Sequence, residues 1–142
     1  MGHVRVFPDS NNTQTPACSY AKFVVRVPVE RNVPTNRIDL AIPKGVVVFA
    51  VQPKAGWQFT LQKTRGIITG ISWSGGRLMP EEFDEFAFIA ATPKTPGPIS
   101  WDASQYYENG EIVRWTGAPK SDTPHSVTTV VPGKCSTRKK VK

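Results

Sequence analysis

The sequence predicts an all-β sandwich of two antiparallel sheets. Two observations carry that prediction: short apolar runs alternate with polar residues, and turn signals recur roughly every ten residues. The 13 prolines and 11 glycines of the 142-residue chain fall between those runs rather than in one tract, as repeated chain reversal requires. A chain of this length forms one domain with a single buried core.

The first strong strand is Ala21 to Val27. Ala21, Phe23, Val25 and Val27 alternate with Lys22, Val24 and Arg26, the period of a half-buried strand, and Pro28 ends it. Further strands are expected at Arg37–Ile42, Val46–Gln52, Trp57–Lys63, Ile67–Trp73, Phe83–Ala91, Ile99–Tyr107, Glu111–Trp115 and Ser126–Val131. Pro43-Lys44-Gly45, the stretch 53–56, Gly75-Gly76, the stretch 93–98 and the stretch 117–124 separate them. Asn109-Gly110 suits a two-residue type I′ turn, in which both central residues take positive φ. That turn sets Glu108 opposite Glu111, Tyr106 opposite Val113 and Ser104 opposite Trp115. Glu81, Glu82, Asp84 and Glu85 read as polar residues around a buried Phe83 and Phe86.

The net charge of +7 raises the question of nucleic acid. Five of the 18 basic residues, Lys134, Arg138, Lys139, Lys140 and Lys142, lie in the final nine positions, which hold no acid. The remaining chain has 13 basic residues against 11 acidic ones, without a basic helix or an aromatic RNA-binding signature. Residues 133–142 therefore read as a disordered, solvated tail, and no nucleic-acid partner is expected. No apolar run approaches the ~20 residues that cross a bilayer. The chain reads as soluble, with any export signal or anchor lying outside it. Cys18 and Cys135 are too far apart in sequence for a zinc, haem or thioredoxin-like motif. They read either as a bridge between the two ends of the domain or as two unpaired thiols.

His3 is the residue that points to chemistry. If Met1 and Gly2 are an appended start, His3 is the first residue left by signal-peptide removal. Its free α-amine and ring Nδ1 then close one chelate ring on a single ion, a nitrogen pair that suits Cu(II). With Met1 and Gly2 in place the α-amine of His3 is blocked. The intact start is itself an Xaa-Xaa-His sequence able to wrap Cu(II) or Ni(II) through its amine, two amides and imidazole.

Several motifs then carry a resemblance. They are His3-Val-Arg-Val, Val25-Arg-Val-Pro28-Val-Glu30-Arg-Asn-Val-Pro34-Thr35, Ile42-Pro43-Lys-Gly45-Val, Gly56-Trp57, Ile71-Ser-Trp73, Glu82-Phe83-Asp-Glu85-Phe86, Gln105-Tyr-Tyr-Glu-Asn-Gly110 and Val113-Arg-Trp115-Thr-Gly117. In this order, from His3 to about Val131, the chain resembles the YcnI-like copper-binding family. The resemblance implies residues 3–132 as one bacterial, extracytoplasmic, immunoglobulin-like β-sandwich that binds one Cu(II). Carried over by position, His3 supplies amine and ring nitrogen, Glu30 a carboxylate, and Trp115 packs beside the ion. It implies a role in copper trafficking or homeostasis, with a membrane copper transporter or copper chaperone as partner, and no enzymatic activity.

The donor types agree with that implication, because imidazole, amine and carboxylate suit Cu(II), whereas reduced copper prefers sulfur. Taken singly, Glu30 is an ordinary solvated carboxylate beside Arg31, and Trp115 is ordinary core. Two other functions compete. A copper-dependent oxidase needs a second histidine, and only His125 is available, in a turn-rich stretch that reads as surface. A metal-free immunoglobulin-like binding or adhesion module would use exposed Trp57, Tyr106 or Tyr107 as its partner surface.

Overall fold

The row Ala21, Phe23, Val25 and Val27 is wholly buried, and this single alternating strand organises the molecule. The computed structural model describes residues 2–9 and 12–135. Its strands are β1 (Arg5–Pro8), β2 (Gln14–Pro16), β3 (Tyr20–Pro28), β4 (Thr35–Ala41), β5 (Val47–Val51), β6 (Gln58–Thr64), β7 (Ile67–Leu78), β8 (Phe83–Ala91), β9 (Gly97–Trp101), β10 (Ala103–Tyr107), β11 (Ile112–Trp115) and β12 (Ser126–Val131). The described residues contain no helix.

The sheet order β1-β3-β8-β5 faces the order β11-β10-β4-β7-β6, and the inward rows of the two meet in one core. A third sheet, β2-β12-β9, corrects the expectation of two. Its β2–β12 pair is parallel and its β12–β9 pair antiparallel. This small sheet contributes Trp101, whose ring lies 5.1 Å from that of Phe23 and 6.0 Å from that of Phe88. Trp101 Nε1 donates to Thr128 Oγ1 at 3.0 Å, so its buried polar atom is satisfied. Burial of each such ring contributes roughly 1.5–3 kcal/mol.

Four expectations need correction. Ile99–Tyr107 is two strands: the chain breaks at Asp102, whose carbonyl accepts from Ala41 N at 2.9 Å, and passes there from the third sheet into the five-stranded one. β7 runs through Gly75-Gly76 instead of turning. The pair forms an irregularity in the β4–β7 register, with Gly75 at φ +94°, and the Trp57 indole lies where a Gly76 side chain would be. The hairpin register is one residue away from the expected one, so Gln105 faces Val113 and Ala103 faces Trp115. Gly110 N donates to Tyr107 O at 3.0 Å and Tyr107 N to Glu111 O at 2.9 Å. The loop therefore has three residues, and only Gly110, at φ +93°, takes positive φ. Finally, Phe83 is 62% exposed, while Tyr107 is buried and Trp57 and Tyr106 are half-buried. The aromatic surface expected for an adhesive module is not formed by those three.

The cysteines, left open by the sequence, are bridged: Cys18 and Cys135 form a disulfide with Cα atoms 5.0 Å apart. Residues 136–142 of the basic tail lie outside the described residues.

Candidate metal centre

The site is built at the end of β3. Val27 and Val29 are buried, Val29 N donates to Glu82 O at 3.0 Å, and Glu30 emerges into solvent. β1 lies along β3 with Arg5 opposite Arg26. Val6 N donates to Ser126 Oγ at 3.0 Å, which ties β1 to β12. This places the residues preceding β1 beside Glu30. A methyl group on Gly2 would stand 2.9 Å from Glu30 Oε2 and from the Pro28 ring, so backbone and carboxylate are in direct proximity. On the other side, the His3 and Trp115 rings lie 5.3 Å apart between centroids, tilted by 44°.

Gly2, His3, Glu30, Arg31, Val113 and Trp115 line one cleft of about 490 Å³, closed on its far side by Ser121–Thr123. The three residues carried over from the resemblance, spread over 112 positions, thus share one wall-to-wall space. Trp115 is held in a defined pose. Its Nε1 donates to Gln105 Oε1 at 3.1 Å, and Gln105 Nε2 donates to Pro28 O at 2.8 Å and Thr35 Oγ1 at 2.9 Å. One fully buried amide therefore fixes both the indole and the strand end that delivers Glu30. Arg31 is engaged elsewhere, its Nε lying 3.2 Å from both carboxylate oxygens of Glu111. Among the described residues the Glu30 carboxylate takes part in no ion pair.

The loop after Trp115 is pinched shut. Gly117 N donates to Thr123 O at 2.9 Å and His125 N to Gly117 O at 3.0 Å. A Cβ on Gly117 would meet Ser121 Oγ at 2.4 Å and Thr123 O at 3.0 Å, so the chain crosses closely at a residue without a side chain. The loop carries Asp122 to the cleft, a carboxylate that sequence reasoning missed because nothing in its neighbourhood marks it. His125 is half-buried rather than free on the surface, and it lines an adjoining cleft with His3, Arg5 and Pro119. Gln105 was also missed as a site residue; a polar residue on the inward face of β10 is the signal that would have found it.

The donors are nitrogen and oxygen. Both cysteines are in the disulfide and Met79 lies at the β7–β8 connection, so among the described residues no sulfur lines the cleft. Among the described residues no group of three His, Cys, Asp or Glu side chains converges to hold a metal.

The architecture defines an immunoglobulin-like β-sandwich domain with a cleft lined by His3, Glu30 and Trp115 beside its N-terminal strand. The chain belongs to the family described as a domain of unknown function, DUF1775, which it matches over residues 3–132. It is 35% identical over 134 residues to the copper-binding protein CutI of Bacillus subtilis (strain 168), covering 93% of this chain and 64% of that protein. Among solved structures it resembles an uncharacterized protein from Nocardia farcinica with an immunoglobulin-like fold. There the TM-score is 0.77 at 21% identity, over 91% of this chain and 98% of the other. A non-cellulosomal cohesin from Archaeoglobus fulgidus aligns with a TM-score of 0.52 at 14% identity, over 89% and 91%. Those two likenesses concern the fold alone.

Proposed function

We propose that this domain binds one Cu(II) ion at the His3 cleft and carries copper outside the cytoplasm, in trafficking or homeostasis. The observation that carries the reading is the convergence of His3, Glu30 and Trp115 on one cleft, with the backbone before His3 against the Glu30 carboxylate. Similarity to a copper-binding protein supports the choice of metal. In this reading His3 offers ring nitrogen and, in a chain that begins there, its amine. Glu30 offers oxygen and lowers the charge of the bound ion. Trp115 covers one side, and an apolar wall there restrains water and ligand exchange. We read the domain as a carrier that exchanges its ion with a membrane copper transporter or a copper chaperone, and not as a catalyst.

The test is spectroscopic Cu(II) titration of a chain beginning at His3, with His3→Ala and Glu30→Ala beside it. One equivalent bound, and lost or sharply weakened in both variants, is expected. Binding indifferent to both changes would overturn the reading. Binding by the chain that retains Met1 and Gly2, unaffected by Glu30→Ala and abolished when those two residues are removed, would identify the Xaa-Xaa-His start as the ligand.

A further inference from the structure

Charge is distributed unevenly along the length of the sandwich. At the end where β3 stops, the connections 29–34, 52–57, 79–82 and 108–111 carry Glu30, Glu81, Glu82, Glu108 and Glu111 against Arg31 and Lys54. The register places the connections 17–20, 42–46, 65–66, 92–96 and 132–135 at the opposite end. Tyr20 and Val47 both pair with Ala91, Ala41 pairs with Gly70, and the disulfide joins Cys18 to Cys135. Those connections carry Lys44, Arg65, Lys94 and Lys134; the acids near this end are Asp102, whose carbonyl accepts from Ala41 N, and Asp9, whose N donates to Lys22 O, so basic residues outnumber acidic ones there by two to one. The same end has an exposed apolar cluster: Tyr20 is 71% exposed, Phe49 57%, Ile89 47% and Val47 46%. The Tyr20 and Phe49 rings lie 5.4 Å apart in the open. Phe49 stands at the irregularity in the β5–β8 register between Val48 and Ala50, and such irregularities re-aim a side chain.

We propose that this end, with Tyr20, Phe49, Val47 and Ile89 ringed by Lys44, Lys94 and Lys134, docks on the surface of an anionic lipid bilayer. Amphipathic aromatic rings settle at the headgroup level, and lysines beside them meet the negative surface. Charge complementarity selects this occupant. The disulfide brings Cys135 to the same end, and the sequence beyond it adds Arg138, Lys139, Lys140 and Lys142 with no acid. A second copy fits poorly, because pairing these ends would oppose two sets of the same cations. Docking here turns the acidic end, including Glu30, away from the lipid. The proposal stands independently of copper binding.

The test is co-sedimentation of the full 142-residue chain with vesicles of phosphatidylcholine alone and of phosphatidylcholine mixed with phosphatidylglycerol. Binding to the mixed vesicles only, released as salt approaches 1 M, is the expected result. Tyr20→Ser with Phe49→Ser weakens it on the order of tenfold or more. Lys44→Glu, Lys94→Glu and Lys134→Glu together weaken it about a hundredfold. All of these side chains are exposed, and unchanged unfolding midpoints show that the variants fold. No binding to mixed vesicles overturns the proposal. So does binding that the Tyr20 and Phe49 changes leave intact, since the basic terminus would then act alone. A dimer in sedimentation velocity that the same two changes dissociate also overturns it, in favour of a second copy.

Discussion

Replacing Gln105 with leucine tests whether one buried amide holds the candidate site together. The change removes every polar atom while keeping a side chain of similar size at a fully buried position. Trp115 Nε1 and Pro28 O lose the partners they have at 3.1 and 2.8 Å. Thr35 Oγ1 can turn elsewhere. Each orphaned buried group costs about 1–3 kcal/mol, so the expected loss is about 2–6 kcal/mol. With a urea slope of about 2 kcal/mol/M, the midpoint falls by roughly 1–3 M. Trp115→Phe removes one of the two orphans in advance. In a double-mutant cycle, Gln105→Leu should therefore cost about 1–2 kcal/mol less in the Trp115→Phe background. A Gln105→Leu loss below about 1 kcal/mol, or strict additivity with Trp115→Phe, would refute the account.

Asp39 gives a pH prediction. Burial pushes its carboxyl up, but hydrogen bonds from Arg37, Ser72 and Tyr106 outweigh that and hold it below the ordinary value. A depressed carboxyl contributes stability above about pH 3.9, where the unfolded group titrates, and loses it as pH falls toward the folded value. Asp39→Asn should therefore differ from the parent by a constant amount near neutrality, with the gap closing below about pH 4 in acid unfolding curves. Tyr106 is displaced upward, first by its hydrogen bond to Asp39 and then by burial. Its contribution is lost as pH rises above about 10, which Tyr106→Phe should remove from the alkaline limb. Reduction of Cys18–Cys135, whose ends are separated by 117 positions, should lower stability by up to about 4–5 kcal/mol in the chain-entropy account. Urea unfolding with and without reductant measures it, and no shift would mean that the bridge adds nothing. Gly117→Ala brings a methyl to 2.4 Å from Ser121 Oγ and 3.0 Å from Thr123 O, so the hydroxyl must turn away and the carbonyl must shift by a few tenths of an ångström. A stability loss of about 1–3 kcal/mol together with weaker Cu(II) binding is expected by calorimetric titration.

Several strands were legible in their bounds: Phe83–Ala91 and Ser126–Val131 occur as expected, and the alternating β3 ends at Pro28 as proline requires. β1 and β2 escaped because three or four residues give too few periods to recognise. Gly75-Gly76 misled because glycine permits a turn and an irregular strand equally. Only the Trp57 ring lying against Gly76, a contact from 19 positions away, decides between them. The hairpin slipped by one because Asn109-Gly110 also fits a three-residue loop, and Gln105 N–H pairing to Pro28 and Thr35 favours the register that turns Gln105 inward. That single step matters to the site, since a slip of one residue exchanges the two faces of a strand. With Ser104 opposite Trp115, the indole would have lost its acceptor.

The candidate site was legible in its residues and not in its construction. His3, Glu30 and Trp115 are ordinary one by one, and no convergent group of three metal-binding side chains exists among the described residues to reveal them. The proposed donor set, with a terminal amine beside His3 and Glu30, would have no spacing signature, because every chain start offers an amine. What makes the place distinctive is the fold around it. β1 is tied to β12 through Ser126, the end of β3 is held by Gln105, and the pinched loop at Gly117 closes the far side. Each tie constrains a different wall of the cleft. Loosening one wall should therefore alter ion exchange before it alters the identity of the donors, which separates residues that position the site from residues that bind.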